Sequence, residues 1–314
     1  IRPQFLIVLV TVLALVSAVS VYSTVQSRVA LDAGAPPAMT GSATAGAAGA
    51  ADARSATGGA PSAAAPSVTD PTPAPTPAVV VPPKSLIGPA LDAEINAVIQ
   101  ANSAYRVGVA LIDLGDGEVH EYGAKTKFVA ASTGKILAAA AYYDLVEAGK
   151  ASLTARMGAS TAGQQIRQMV QQSNNESWAL IQAAVGHKGL TDYAASMGIP
   201  YDRTVHGLPP AEMAKPLSEL YSGRLLNAEN TAQLLSYMQN TNYEVLIPAA
   251  APPGISVFHK YGLLNGNLHD ASILVQGDRA FVFVVYTRGR DMSDMAARTR
   301  VIQQLTGTVA AGLF

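Results

Sequence analysis

The stretch VAASTGKILAAAAYYDL, Val129 to Leu145, combines two patterns that conflict. From Ile136 onward it is almost wholly apolar or Ala, the composition of a helix buried on all sides. Its front end carries Ser132, Thr133, Gly134 and Lys135 instead. A Gly within a helix costs about 1 kcal/mol relative to Ala. A Lys set among Ile, Leu and Ala loses water, which disfavours its charged form. Residues three apart on a helix are neighbours on one face, so a buried helix sets Lys135 beside Ser132. A desolvated amine is neutral near pH 7 and can take the proton of a serine hydroxyl, which is a weak nucleophile by itself. At a helix N-terminus the backbone N–H groups also favour a developing oxyanion. Alone, the pair also reads as an ordinary Ser cap followed by a surface Lys.

Working outward, the chain divides by composition. Residues 1–28 contain Phe5 to Val25 (FLIVLVTVLALVSAVSVYSTV), uncharged and flanked by Arg2 and Arg28. About 18 or more apolar residues suffice to cross a bilayer, so this reads as a membrane anchor, with a cleaved export signal as the rival. Residues 29–85 are rich in Ala, Pro, Gly, Ser and Thr, as in PSAAAPSVTDPTPAPTPAVVVPP, and have no apolar period. Ordering such a segment would not offset its entropy, and its Pro-rich half is extended and stalk-like. Residues 86–314 are long enough for one globular domain.

Within that domain, Gly88 to Ala101 reads as an amphipathic helix. YRVGVALIDLG (Tyr105–Gly115), the turn Asp116-Gly117 and EVHEYG (Glu118–Gly123) read as a hairpin. A long helical block runs from Ser132 to about Gln239. ISVFHKYGLL (Ile255–Leu264) returns to strand, LHDASILVQ and RAFVFVVYT form a hairpin about Gly277-Asp278, and Met292 to Phe314 closes as a helix. Strands at both ends with helices between predict an α+β fold. One antiparallel sheet is built from both ends of the domain and flanked by helices, with an all-helical lobe and a cleft between the two.

Composition excludes several functions. A net charge of −1 offers no basic surface for nucleic acid. The chain has no Cys, hence no thiolate nucleophile, thiolate metal site or disulfide. Its five His form no metal-spaced pair, so no metal or cofactor is expected. No G-x-S-x-G elbow, phosphate loop or dinucleotide fingerprint is present. Trp178, His259, His269 and Glu212 read as structural: core packing, hydrogen bonding and a favourable first-turn acid, respectively.

Two further motifs bear on Ser132. QQSNNESW places Ser173 and Asn175 between two apolar helices, where a loop can offer a hydroxyl and an amide to a cleft; plain helix capping is the alternative. In ISVFHKYGLL, strand alternation sets Phe258, Lys260 and Gly262 on one face. Lys260 adds positive charge there and Gly262 removes bulk so that a substrate backbone can approach. An edge Lys that discourages aggregation is the alternative.

Ser132-x-x-Lys135, Ser173-x-Asn175 and Lys260-x-Gly262, in this order, resemble the motifs of the penicillin-recognising serine hydrolases, the class A β-lactamases and penicillin-binding DD-peptidases. Ser132 is the only Ser with Lys at +3, and Ser173 the only Ser with Asn at +2. The resemblance implies that Ser132 is the acylated nucleophile, Lys135 its base and Ser173 the proton donor to the leaving amine. It implies that Asn175 holds the substrate amide and that Lys260 supports Ser173 and attracts a carboxylate. The backbone N–H groups of Ser132 and Leu263 would form the oxyanion hole. The implied substrates are β-lactams or peptidoglycan stem peptides, at the outer face of a bacterial cell envelope.

Two departures limit the likeness. Tyr261 stands where a small hydroxyl residue is usual, and strict alternation turns it away from Lys260. The region MGIPYDRTVHGLPPAEM (Met197–Met213) is short and lacks a Glu-x-x-Leu-Asn stretch, so deacylation is expected to be slow or to take another route. A DD-peptidase, or a catalytically impaired cell-wall peptide-binding relative, therefore stands beside a β-lactamase, and an accidental likeness in an interaction module on a stalk is a third possibility.

Overall fold

The computed structural model describes residues 86–201, 204 and 206–314. The expected anchor and linker, residues 1–85, lie outside the described residues. No described helix is long and apolar enough to cross a membrane.

Helix α1 (Pro89–Ala101) leads into β1 (Arg106–Asp113) and β2 (Val119–Gly123). The turn between these strands is closed by Gly117 N–H on Asp113 O, with Gly117 at φ +75°. After β3 (Phe128–Val129) a 3₁₀ turn (Ala131–Gly134) feeds α2 (Lys135–Glu147). Then come β4 (Arg156–Met157), β5 (Ser160–Thr161), α3 (Ala162–Gln171), α4 (Asn175–Val185) and α5 (His187–Ser196). Next are β6 (Gly207–Leu208), α6 (Pro210–Tyr221), α7 (Ala228–Tyr237) and the short α8 (Ile247–Ala250). Strands β7 (Ser256–Leu264), β8 (Asn267–Gln276) and β9 (Arg279–Arg288) precede the closing helix α9 (Met295–Leu313).

The main sheet has the order β2-β1-β9-β8-β7, antiparallel throughout, so both ends of the domain build one sheet as expected. β9 is central and buried on both faces, which explains its unbroken apolar run. Its alternate residues part company. Phe281, Phe283 and Val285 pack with Leu91, Ile95, Val301 and Leu305 of α1 and α9. Val282, Val284 and Tyr286 face the helical lobe, with Ile136, Ile166 and Leu217. Full burial of each such side chain is worth roughly 1.5–3 kcal/mol.

At the centre of the helical lobe lies α2. Every residue from Lys135 to Tyr143 is buried, and the run Ala138–Ala141 lets α3, α4 and α5 close around it. β3 and β6 form a separate antiparallel pair, tying the segment before α2 to the segment before α6.

β7 is the edge strand, and a buried charge cluster holds its outer side. His259 is fully buried, with Nδ1 2.9 Å from Asp270 Oδ1 on β8 and Nε2 3.0 Å from Glu244 Oε1. Both ring nitrogens face carboxylate oxygens, so both are donors and the ring is an imidazolium. Asp270 also accepts the Ile247 N–H, and Glu244 accepts from the Thr241 N–H and hydroxyl. The cluster thus pins residues 241–247 along β7. Burial by itself would lower the His259 pKa; the adjacent Asp270 and Glu244 outweigh it and raise the value to about 9.

A folded-state pKa above the unfolded value, about 6.5, means a contribution fully present below pH 6.5 that is lost as pH rises through 9. That contribution is up to about 3 kcal/mol. Lys135 and Lys260 titrate in the opposite sense, so wild type is compared with His259→Gln to isolate the imidazolium. The stability gap between them, measured by urea unfolding at pH 6, 7.5 and 9.5, narrows as pH rises. A gap independent of pH would show that His259 is neutral.

Candidate active site

Ser132 sits in the 3₁₀ turn rather than in the first turn of α2, as the sequence had suggested. The preceding Ala131 has φ +50°, a left-handed conformation costing about 1–3 kcal/mol for a side-chain-bearing residue. Several contacts hold it. Ala130 N–H donates to His206 O (2.8 Å), and Ala130 O accepts from both the N–H and the hydroxyl of Thr133. The Thr133 hydroxyl also meets the buried Tyr286 hydroxyl. Tyr286 stacks on His269, with centroids 4.1 Å apart. His269 Nδ1 accepts the Thr287 N–H, so its proton lies on Nε2, which donates to Val129 O (2.9 Å). Burial keeps this ring neutral, with its pKa lowered to about 4. A neutral His, a Tyr and a Thr therefore form a fixed bed beneath the nucleophile turn.

One turn on, Lys135 is 3% exposed. Its Nζ donates to Ser173 O (2.7 Å) and Asn175 Oδ1 (2.7 Å) and lies 3.3 Å from Ser173 Oγ. Burial lowers its pKa to about 7. The three expected residues Lys135, Ser173 and Asn175 are thus brought together, one turn from Ser132. Ser173 also has a left-handed backbone, φ +56°. Asn174 caps α4 by accepting the Ser177 N–H, which fixes Ser173 and Asn175 on either side of it.

Lys260 is fully buried, which sets aside the reading of it as a solvated edge residue. Burial, then the charge of Lys135, lowers its pKa well below the ordinary range, with Asp270 opposing. Gly262 shares its face, as alternation requires. A Cβ at Gly262 would lie 3.1 Å from Ser132 N, 3.2 Å from Ala130 O and 3.2 Å from Ala131 Cβ. The glycine therefore admits the close approach of the Ser132 turn to β7. His259 N–H donates to Met238 O, away from β8. By alternation the amide of Leu263 turns to that same edge, next to the Ser132 turn.

Tyr261 turns away from the Lys260 face, as alternation requires, but the two side chains still meet. Their Cβ atoms do leave β7 on opposite sides, and Tyr261 packs at 5.0 Å from Tyr243. Yet Lys260 Nζ reaches around the strand edge to Tyr261 O (3.1 Å) and lies 3.9 Å from the centre of the Tyr261 ring. The Tyr261 hydroxyl donates to Asn242 Oδ1. Asn242, a residue with no sequence signal, donates in turn to Gln171 O and Gln172 O at the end of α3.

Beneath Lys135 the walls are aromatic. Trp178 lies 5.8 Å from Lys135 Nζ and meets the edge of His206, which contacts Tyr201. Glu212 stands in the first turn of α6, and its charged neighbours are Lys215, Lys127 and Glu121. It is a first-turn acid, as expected. A surface cavity of about 580 Å³ lies elsewhere, between Lys127, Lys188 and Tyr201.

A family model for the β-lactamase enzyme family matches residues 90–312, well over half of the chain. The chain is 26% identical over 255 residues to the β-lactamase OXY-2 of Klebsiella oxytoca, covering 68% of this chain and 87% of that protein. It is 28% identical over 240 residues to the β-lactamase CTX-M-6 of Salmonella typhimurium, covering 62% of this chain and 82% of that one. Its fold matches a β-lactamase from Xanthomonas campestris pv. campestris with a TM-score of 0.66 at 20% identity, over 72% of this chain and 98% of that chain. A mutant of PBP-A, solved as an acyl-enzyme complex with penicillin G, matches with a TM-score of 0.64 at 18% identity, over 71% and 95% of the two chains. The resemblance read from the three motifs therefore holds at the level of fold and superfamily, and the chain belongs to the β-lactamase enzyme family.

Proposed function

We propose that this protein is a serine hydrolase that forms an acyl-Ser132 intermediate with β-lactams or peptidoglycan-like amides. The observation that carries the reading is the Lys135 amine, with its pKa near 7, held by Ser173 and Asn175 one turn from a buried serine. Neutral Lys135 takes the Ser132 hydroxyl proton as Oγ adds to the carbonyl carbon. The oxyanion is received by the amides of Ser132 and Leu263. The C–N bond then breaks, the leaving nitrogen takes its proton from Ser173, and the Lys135 proton refills Ser173 through their 3.3 Å contact. Asn175 orients the substrate amide. Lys260 contributes positive potential to this relay.

Hydrolysis of the ester needs an activated water. Among the described residues, the wall of Trp178, His206 and Tyr201 beneath Lys135 carries no carboxylate, which favours slow deacylation of the DD-peptidase type over efficient β-lactamase turnover. The same feature favours the second reading, a relative that binds cell-wall peptide without turnover. We place the domain outside the cytoplasmic membrane on the strength of Phe5–Val25 and the Ala/Pro-rich linker that follows.

Incubation of the full chain with a penicillin, followed by intact mass, tests the reading. A mass increase equal to the intact drug is expected, absent in Ser132→Ala; a stable adduct persisting in Ser132→Ala would refute the nucleophile. Lys135→Met is expected to slow acylation by about 10²- to 10⁴-fold. In wild type the acylation rate rises with pH through about 7, where Lys135 becomes neutral, and levels off above it; a rate flat from pH 5.5 to 8.5 would exclude Lys135 as base. Gly262→Ala crowds the Ser132 turn by a few tenths of an ångström and is expected to cost at least tenfold in acylation, with a loss of stability of about 1–3 kcal/mol.

A further inference from the structure

Ser173 follows Gln171 and Gln172, whose carbonyls hold Asn242, so the group carried by a nitrogen that Ser173 protonates, as proposed above, lies near the contact of Asn242 with Tyr261. This end of the cleft is not built to receive an anion. Lys260, its cation, has no exposed surface: the Tyr261 ring covers the ammonium at 3.9 Å and Tyr261 O accepts its hydrogen bond. Lys135 is committed to Ser173 and Asn175. The wall segment Met238–Ile247 holds no Lys or Arg, and its one charged residue is Glu244, whose side chain is 44% exposed.

A clasp keeps this end shut. The Tyr261 hydroxyl donates to Asn242 Oδ1, Asn242 Nδ2 donates to Gln172 O (3.1 Å), and Asn242 N–H donates to Gln171 O (3.2 Å). Gln171 Nε2 returns a hydrogen bond to Gln239 O (3.1 Å). β7 is thereby tied, through Tyr261 and Asn242, to the last turn of α3, which runs directly into Ser173. What these groups expose to an incoming ligand is neutral: the Asn242 amide and backbone carbonyls, with the Tyr261 ring buried behind them. Placing a carboxylate against them would strip its water without supplying a cation in return.

We propose that Tyr261 and Asn242 select acyl donors whose leaving amine bears no free carboxylate, such as an internal peptide bond or an amidated terminus. This rests on Ser132 acylation as read above. The enzyme would then cut within a peptide rather than release a terminal amino acid.

Benzylpenicillin and its methyl ester differ only in the carboxylate next to the ring nitrogen, and the acylation rate of the full chain by each is followed by intact mass. The ester is expected to acylate at least tenfold faster than the acid. Tyr261→Thr, checked for folding by circular dichroism, is expected to raise the acid-to-ester rate ratio at least tenfold. Asn242→Ala, which opens the clasp from the other side, is expected to shift it the same way. An acid that reacts as fast as or faster than the ester in wild type overturns the selectivity while sustaining the hydrolase. A ratio unchanged in both variants also overturns the assignment to Tyr261 and Asn242. No adduct from either compound refutes the hydrolase reading, and the selectivity falls with it.

Discussion

The burial of Lys135 is the constraint on which the rest of the site depends. An ammonium at the head of a solvated helix would stay protonated and inert toward a serine. Here α2 is enclosed by α3, α4 and α5 along its first nine residues, and the amine loses its water. What the burial takes away, Ser173 O and Asn175 Oδ1 partly restore, and they do so with acceptors that leave the neutral form competitive. The composition of the helix and the chemistry at its end are one feature. Four consecutive alanines permit the close packing that strips the Lys135 amine of water and lowers its pKa.

A second constraint acts through β7. The strand approaches the Ser132 turn so closely that a methyl at residue 262 would sit 3.1–3.2 Å from it, while its other side is held by the His259 imidazolium between two carboxylates. Removing Asp270, the fully buried acid, would leave the buried His259 imidazolium only the half-exposed Glu244 as counter-charge, a change costing more than loss of a surface pair. The cluster fixes the wall residues 241–247, the wall positions Asn242, and Asn242 positions Tyr261. A residue inside the sheet therefore sets the shape of the far end of the cleft.

The fold was legible wherever a period was strong. The alternation in RAFVFVVYT, the turn at Asp116-Gly117 and the apolar run from Ile136 depend on local rules, and each lies where those rules predict. Ser132, Lys135, Ser173 and Lys260 were legible because the chemistry demands those residue types at fixed spacing. Asn242 was not, since asparagine in a loop carries no pattern; its role arises from contacts between segments about 70 residues apart in sequence. Tyr261 lies on the face that alternation gives it, but its contact with Lys260 was missed by a rule that treats side chains as rods normal to the sheet. At an edge strand no neighbour blocks a long lysine from curling around, and the attraction of an ammonium for a ring completes the contact. Gly262 was singled out correctly for needing space, but only the three-dimensional packing shows that the space is taken by the Ser132 turn.

The 3₁₀ entry to α2 gives the poor start of that helix a physical account. Thr133 is spent on the Tyr286–His269 bed and on Ala130 O, Gly134 continues the turn without adding bulk near Ala130, and Ala131 bears the backbone strain. A regular first turn would satisfy propensity but would aim Ser132 along the helix face. Strain at Ala131 and Ser173, on the two sides of the Lys135 amine, is tolerated because packing fixes both ends of each segment. The same over-determination bears on water. Trp178, His206 and Tyr201 pack against one another beneath the lysine. On the reading proposed above, hydrolysis of the Ser132 ester draws on the relay that formed it, Lys135 and Ser173, acting in reverse on a water.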